Sequence, residues 1–84
     1  MRLVMIYREK SETRLMVETF LRDFKEQTGG EIETMDPDSK EGAGFCRAYD
    51  IVEYPTLIAI GPEGVQMAKW RGTMPTISDA SAYK

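Results

Sequence analysis

The residues able to do chemistry in this sequence are few. There is one cysteine, Cys46, and no histidine. A lone cysteine cannot close an internal disulfide. Without histidine a metal site would rest on carboxylates and one thiol, which argues against zinc, copper or iron, and no metal or other cofactor is implied. Ser11 is a hydroxyl nucleophile only if a base activates it, and no histidine is present to do so. The other singular feature is Tyr54-Pro55-Thr56, directly in front of the apolar run Leu57-Ile58-Ala59-Ile60. Proline cannot donate to a sheet ladder, so Pro55 belongs at or just before the first residue of a strand. A cis peptide bond is also accessible there, because the trans preference before proline is only about 0.5–1 kcal/mol.

The elements that must position these residues follow from periodicity. Leu3-Val4-Met5-Ile6-Tyr7 is a continuous apolar run, the pattern of a strand covered on both faces. Ser11 reads as the N-cap of a helix running to about Thr28, with Glu12 in its first turn. Val17, Phe20, Leu21 and Phe24 recur at the spacing of one buried helical face, and Gly29-Gly30 ends the helix. Glu31 to Asp36 alternates with little apolar content, which suits an edge strand. After the turn Pro37-Asp38-Ser39, a second helix spans Lys40 to Tyr49, weakened by Gly42 and Gly44, with Phe45 and Tyr49, or Cys46 and Tyr49, facing inward. A strand over Thr56–Ile60, the turn Gly61-Pro62-Glu63-Gly64 and a strand over Val65–Arg71 form a hairpin. Gly72-Thr73-Met74-Pro75 breaks it, and an N-cap at Ser78 starts one or two final helical turns. Residues 1–84 thus read as a single α/β domain, β-α-β-α-β-β with a short C-terminal helix. Its four-stranded mixed sheet takes the order 2-1-3-4, because the most apolar hairpin strand needs an interior place beside strand one.

The totals bound the function classes. The net charge is −3, from 11 basic and 14 acidic residues, which argues against nucleic acid or an anionic membrane surface as partner. No run approaches the ~20 apolar residues of a membrane span, and the N-terminal apolar run is too short for a secretory signal. The cytoplasm is the default location.

The element order, together with Glu53-Tyr54-Pro55-Thr56-Leu57-Ile58 and the segments Ile6 to Arg14, Met35 to Asp38 and Ala48 to Ile51, resembles the thioredoxin superfamily from Leu3 to about Gly72. The resemblance implies a cis-proline at Pro55, a hairpin glycine at Gly64 and a groove glycine at Gly72. It also implies an active-site loop at Lys10 to Arg14, and there the sequence departs from the family. Ser11 stands where the attacking cysteine would be, Arg14 where the resolving cysteine would be, and Met5 where redox members keep a buried acid. Dithiol exchange needs a thiolate and a second thiol to resolve the mixed disulfide, so a redox-inactive protein is expected. No segment matches the family's N-terminal strand, which leaves strand two at the edge.

Two functions from different classes follow from the resemblance. One is a protein- or peptide-binding module whose groove is formed by Lys10, Ser11, Glu12, Arg14, Tyr54, Pro55, Gly72 and Thr73, with self-association through an edge strand as a variant. The other is a residual thiol- or glutathione-handling enzyme in which Ser11 replaces the nucleophilic cysteine. A third reading leaves the groove unused and places function on the acidic run Glu31 to Glu41. Each feature also has a plain structural reading: Ser11 as a helix cap, Lys10 and Arg14 as solvated charges neutralised by Glu9 and Glu12, and Tyr54-Pro55 as a rigid turn. Cys46 reads as a small buried hydrophobe away from the groove, and Trp70 as a cover over the sheet beneath the terminal helix.

Overall fold

Two strands of this protein are inaccessible to water along nearly their whole length. In the computed structural model, which describes all residues from Met1 to Lys84, β1 (Arg2–Ile6) is buried at every position after Arg2, and β3 (Thr56–Ile60) at every position. They pair antiparallel at the centre of a four-stranded sheet of order β2-β1-β3-β4, as the sequence predicts. β2 (Glu33–Met35) runs parallel to β1 on one edge, and β4 (Gln66–Arg71) runs antiparallel to β3 on the other. β2 is confined to three residues of the longer alternating stretch.

Alternation along the two central strands divides the core between the sheet faces. Leu3, Met5, Leu57 and Ala59 meet Val17, Phe20 and Phe24 of α1 (Arg14–Thr28) and Ala80 of α3 (Ile77–Ser81). Val4, Ile6, Ile58 and Ile60 meet Cys46 of α2 (Lys40–Ala48) and Ile51. Phe45 and Tyr49 border this second cluster with ring centroids 4.8 Å apart, and Cys46 is the helix's fully inward side chain. Trp70 packs on the first face and meets Tyr83 edge to face at 5.7 Å, so it covers the sheet beside the C-terminal segment.

Two helix starts differ from the sequence reading. Ser11 does not cap α1. Its hydroxyl turns back to donate to the Arg8 carbonyl at 2.7 Å, and residues 11–13 form a turn that delays the helix to Arg14. Thr13 takes the cap position with no side-chain capping bond, and Glu12 lies outside the first helical turn. Short polar side chains compete for nearby main-chain groups in this way. At the other end of the chain the cap is Thr76 rather than Ser78: the Asp79 N–H donates to the Thr76 hydroxyl at 3.0 Å. Thr76 has the extended backbone a cap requires, while Ser78 lies within the first turn.

α2 is set against the preceding loop by its glycines. A Cβ on Gly42 would overlap the Asp36 carbonyl, whereas one on Gly44 would meet only the end of the Arg47 side chain at 4.0 Å. The two glycines should therefore respond oppositely to the same substitution. Gly42→Ala is expected to lower unfolding free energy by about 1–3 kcal/mol through overpacking. Gly44→Ala should raise it by up to about 1 kcal/mol through helix propensity. Urea titrations of the two variants beside the parent measure both signs.

Candidate functional site

The loop that leads into β3 has to bring the chain from the end of α2 to a strand with no exposed face. Ile51 anchors it in the core, and its N–H donates to the Cys46 carbonyl at 2.9 Å. Asp50 reaches this point with a left-handed φ of 55°. The carbonyls of Tyr49 and Asp50, at the end of α2, accept from the Lys69 ammonium at 3.0 and 3.4 Å. A cation there complements the negative end of the helix dipole. The Thr56 hydroxyl donates to the Glu53 carbonyl at 2.7 Å and closes the loop on itself. The Tyr54–Pro55 peptide bond is cis.

Pro55 is buried, and its carbonyl accepts from the Gly72 N–H at 2.8 Å. This joins the loop before β3 to the turn after β4. Gly72 holds φ at 72°, and a Cβ there would stand 3.0 Å from the Glu53 carboxylate. The turn thus favours glycine for its left-handed backbone, while the exposed Glu53 side chain could move aside for a Cβ. Tyr54 contrasts with its neighbour: neither its N–H nor its C=O is hydrogen-bonded to another part of the chain.

The Tyr54 ring is held from two sides. The Arg8 guanidinium lies 4.9 Å above the ring centroid and donates two hydrogen bonds to the Asp38 carboxylate, at 3.0 and 3.3 Å. At its other end the phenol meets the Cys46 thiol, and each perturbs the titration of the other. Burial pushes the Cys46 thiol up, an effect its hydrogen bond with Tyr54 opposes. Burial also raises the Tyr54 phenol, with the charge and hydrogen bond of Cys46 acting in the same direction. Tyr54 and Cys46 line an open pocket of about 350 Å³ together with Pro37, Ala43, Ile51 and Val52, with Arg47 and Asp50 as its charged members.

The predicted site residues divide accordingly. Pro55 and Gly72 are in contact through their main chains. Ser11 is half-buried, its hydroxyl shared between the Arg8 carbonyl and the Thr13 hydroxyl at 3.0 Å. Lys10, Glu12, Arg14 and Thr73 are exposed. Neither Lys10 nor Arg14 is ion-paired with Glu9 or Glu12, the neutralisation the sequence suggested; the ion pairs of the chain are Arg2–Glu33, Arg8–Asp38, Arg22–Asp23 and Lys25–Glu31. Three participants went unrecognised in the sequence: Arg8, Asp38 and Glu53. Cys46 is buried as expected but is not remote from the proline loop, since it lies against Tyr54. No group of three or more histidine, cysteine, aspartate or glutamate side chains is arranged to hold a metal ion. No helix is long and apolar enough to cross a membrane.

Comparison with known proteins bears on the fold. The structure is similar to a thioredoxin 1 from the thermophilic eubacterium Thermosipho africanus TCF52B, with a TM-score of 0.71 and 14% identity over 99% of this chain and 89% of that one. It is also similar to a structure described as a malarial protein, with a TM-score of 0.68 and 15% identity over 96% of this chain and 89% of that one. The fold is thioredoxin-like. No protein-family model matches the sequence, and no curated protein matches it.

The raised thiol gives a pH prediction with a fixed sign. A group whose folded pKa lies above its unfolded one contributes stability below the unfolded pKa and loses it as pH rises through the folded value. The unfolded thiol titrates near about 8.5. The stability difference between the parent and Cys46→Ala should therefore be constant below that pH and shift against the parent above it. Urea titrations of both proteins at pH 7 and pH 10 measure the change.

Proposed function

We propose that this chain is a redox-inactive thioredoxin-like module that binds an extended protein or peptide segment along the Tyr54–Pro55 loop. The observation that carries the reading is the unpaired main chain of Tyr54, beside a Pro55 carbonyl already committed to Gly72. An extended segment can satisfy such a donor and acceptor by adding a short stretch of β-pairing. In this reading Ser11, Lys10, Glu12 and Arg14 form one bank of the groove, and Gly72 and Thr73 the other.

The chemistry of the chain opposes redox activity. Attack on a disulfide needs a thiolate, and release of the product needs a second thiol. The sequence has one thiol, Cys46, which is buried and whose pKa is raised, so it is a poor nucleophile at neutral pH. The alternative, a thiol- or glutathione-handling enzyme built on Ser11, has less support, because the Ser11 hydroxyl is already engaged by the Arg8 carbonyl and Thr13. Self-association through a sheet edge is also less favoured than the loop. β2 offers three residues, and pairing between β3 and β4 is irregular between Ala59 and Ile60. Short and bulged edges are poor templates for another strand. The cytoplasm remains the proposed location, with neither nucleic acid nor a membrane as partner.

Selection from a display library of random peptides tests the binding reading directly. Peptides enriched on the parent protein should bind Gly72→Val and Tyr54→Ala about tenfold more weakly or worse, the scale of losing a residue at an interface centre. An exposed change on α1, Glu18→Gln, should leave binding unaltered. Equal binding to all four proteins would overturn the groove assignment. An insulin-reduction assay with dithiothreitol should show no acceleration by the protein, and acceleration would overturn redox inactivity.

A further inference from the structure

We propose that the open pocket between α2 and the loop leading into β3 is a binding site for a free α-amino acid with a large apolar side chain. The site is separate from the Tyr54 main chain and does not depend on a peptide pairing there.

The pocket joins an apolar floor to a rim that carries one charge of each sign. Pro37, Ala43, Ile51 and Val52 supply apolar surface, and Arg47 and Asp50 are the charged members. Its volume of about 350 Å³ lies at the small end of the range for ligand pockets, about 300–1,000 Å³, which suits a ligand of amino-acid size. Val52 leaves 71% of its surface in water, so an apolar group seated against it gains burial that the folded chain does not supply.

The two rim charges are uncommitted. The ion pairs of the chain join Arg2 to Glu33, Arg8 to Asp38, Arg22 to Asp23 and Lys25 to Glu31, so Arg47 and Asp50 pair neither with each other nor with another group. Lys69, the cation that approaches Asp50 from β4, directs its ammonium to the Tyr49 and Asp50 carbonyls rather than to the carboxylate. Both charges sit on a settled backbone. Arg47 belongs to the last turn of α2, and its guanidinium folds back to within 4.0 Å of where a Gly44 Cβ would stand, next to the Ala43 wall. Asp50 holds its left-handed φ of 55° beside Ile51, whose N–H is bonded to the Cys46 carbonyl. A backbone fixed before the ligand arrives lowers the cost of binding.

An α-amino acid matches this arrangement group for group. Its carboxylate accepts from the Arg47 guanidinium, its ammonium donates to the Asp50 carboxylate, and its side chain covers the apolar floor. Both polar contacts are charge-assisted hydrogen bonds. A residue inside a peptide carries neither charge. An apolar carboxylic acid would set its own negative charge beside an unpaired Asp50, and an apolar amine would do the same with Arg47.

Titration of the isotopically labelled protein with L-phenylalanine, followed by the NMR shifts of its backbone amides, tests the site. Saturable shifts are expected at Ala43, Arg47, Ile51 and Val52. L-Phenylalaninamide lacks the carboxylate and hydrocinnamate lacks the ammonium. Each should bind about tenfold more weakly, the scale of losing one charged hydrogen bond. Arg47→Gln should weaken L-phenylalanine by the same factor without weakening L-phenylalaninamide further. Asp50→Asn should do so without weakening hydrocinnamate further. Both side chains are exposed, and asparagine tolerates the left-handed backbone at position 50, so the fold is retained in each variant. Glycine, with both charges and no side chain, should produce no saturable shift. Absence of saturable shifts with L-phenylalanine would overturn the site. An analogue that binds as tightly as the amino acid would overturn the role of the rim charge it leaves unpaired. Glycine shifting the same amides to saturation would overturn the apolar floor.

Discussion

The antiparallel pairing of β1 with β3 is the constraint on which the rest of this molecule depends. Both strands are apolar on both faces, so neither can exist without a layer above and a layer below. α1 and α3 supply one layer and α2 the other. The edges are then left to strands that need not be buried on both sides: β2 has two exposed residues of three, and β4 has no fully buried residue. The charges follow the same division. Arg2 leaves the central strand at its exposed end and meets Glu33 on β2 through two hydrogen bonds at 2.8 and 2.9 Å, a surface link between the centre and the edge.

The candidate site is a consequence of that burial. A chain that enters a fully buried strand must pass from solvent to core within a few residues. Here the passage runs from exposed Val52 and Glu53, through half-buried Tyr54, to buried Pro55 and Thr56. Each polar group along it must be satisfied or left facing water. The Glu53 carbonyl is taken by Thr56 and the Pro55 carbonyl by Gly72, while the Tyr54 main chain has no hydrogen-bond partner within the chain. The same geometry puts the Tyr54 side chain where Arg8 and Cys46 reach it. An unpaired main chain and a tyrosine ring that shares a pocket lining with Cys46 are therefore two results of one chain path, not two separate inventions.

The fold was legible because its signals were local and redundant. Two uninterrupted apolar runs, a helical stripe at Val17, Phe20 and Phe24, and the turn Gly61 to Gly64 each point to one element, and together they leave few topologies. The misread starts of α1 and α3 have a different origin. At Ser11 the hydroxyl had two partners within reach, the main chain ahead and the Arg8 carbonyl behind, and spacing alone cannot rank them. At Thr76 the signal was present, since Thr76-Ile77-Ser78-Asp79 carries the serine or threonine three residues before an acid that marks a capped start. The site was less legible still. Arg8, Asp38 and Tyr54 are 30 and 46 positions from one another in the chain order Arg8 to Asp38 and Arg8 to Tyr54, and only the sheet order brings them together. Cys46 was placed correctly in the core, but its contact with Tyr54 depends on how α2 sits over the loop, which no periodicity encodes.

The loop of residues 10–14 is free to carry many side chains in this fold for a physical reason. Residues 10–14 contribute little to the core: Lys10, Glu12 and Arg14 are exposed, and Ser11 and Thr13 are half-buried. The nearest core contacts are those of Tyr7 on one side and Val17 on the other. A serine and an arginine in this loop therefore exact no packing penalty. The proline loop is different, because Pro55 and Thr56 are themselves buried and Gly72 is tied to Pro55 by a main-chain hydrogen bond. Stability constrains the proline loop and leaves the loop of residues 10–14 free to vary. The presence of Pro55-Thr56 is consequently evidence about the fold, whereas the exposed side chains around that loop are what fold stability leaves open and function is able to use.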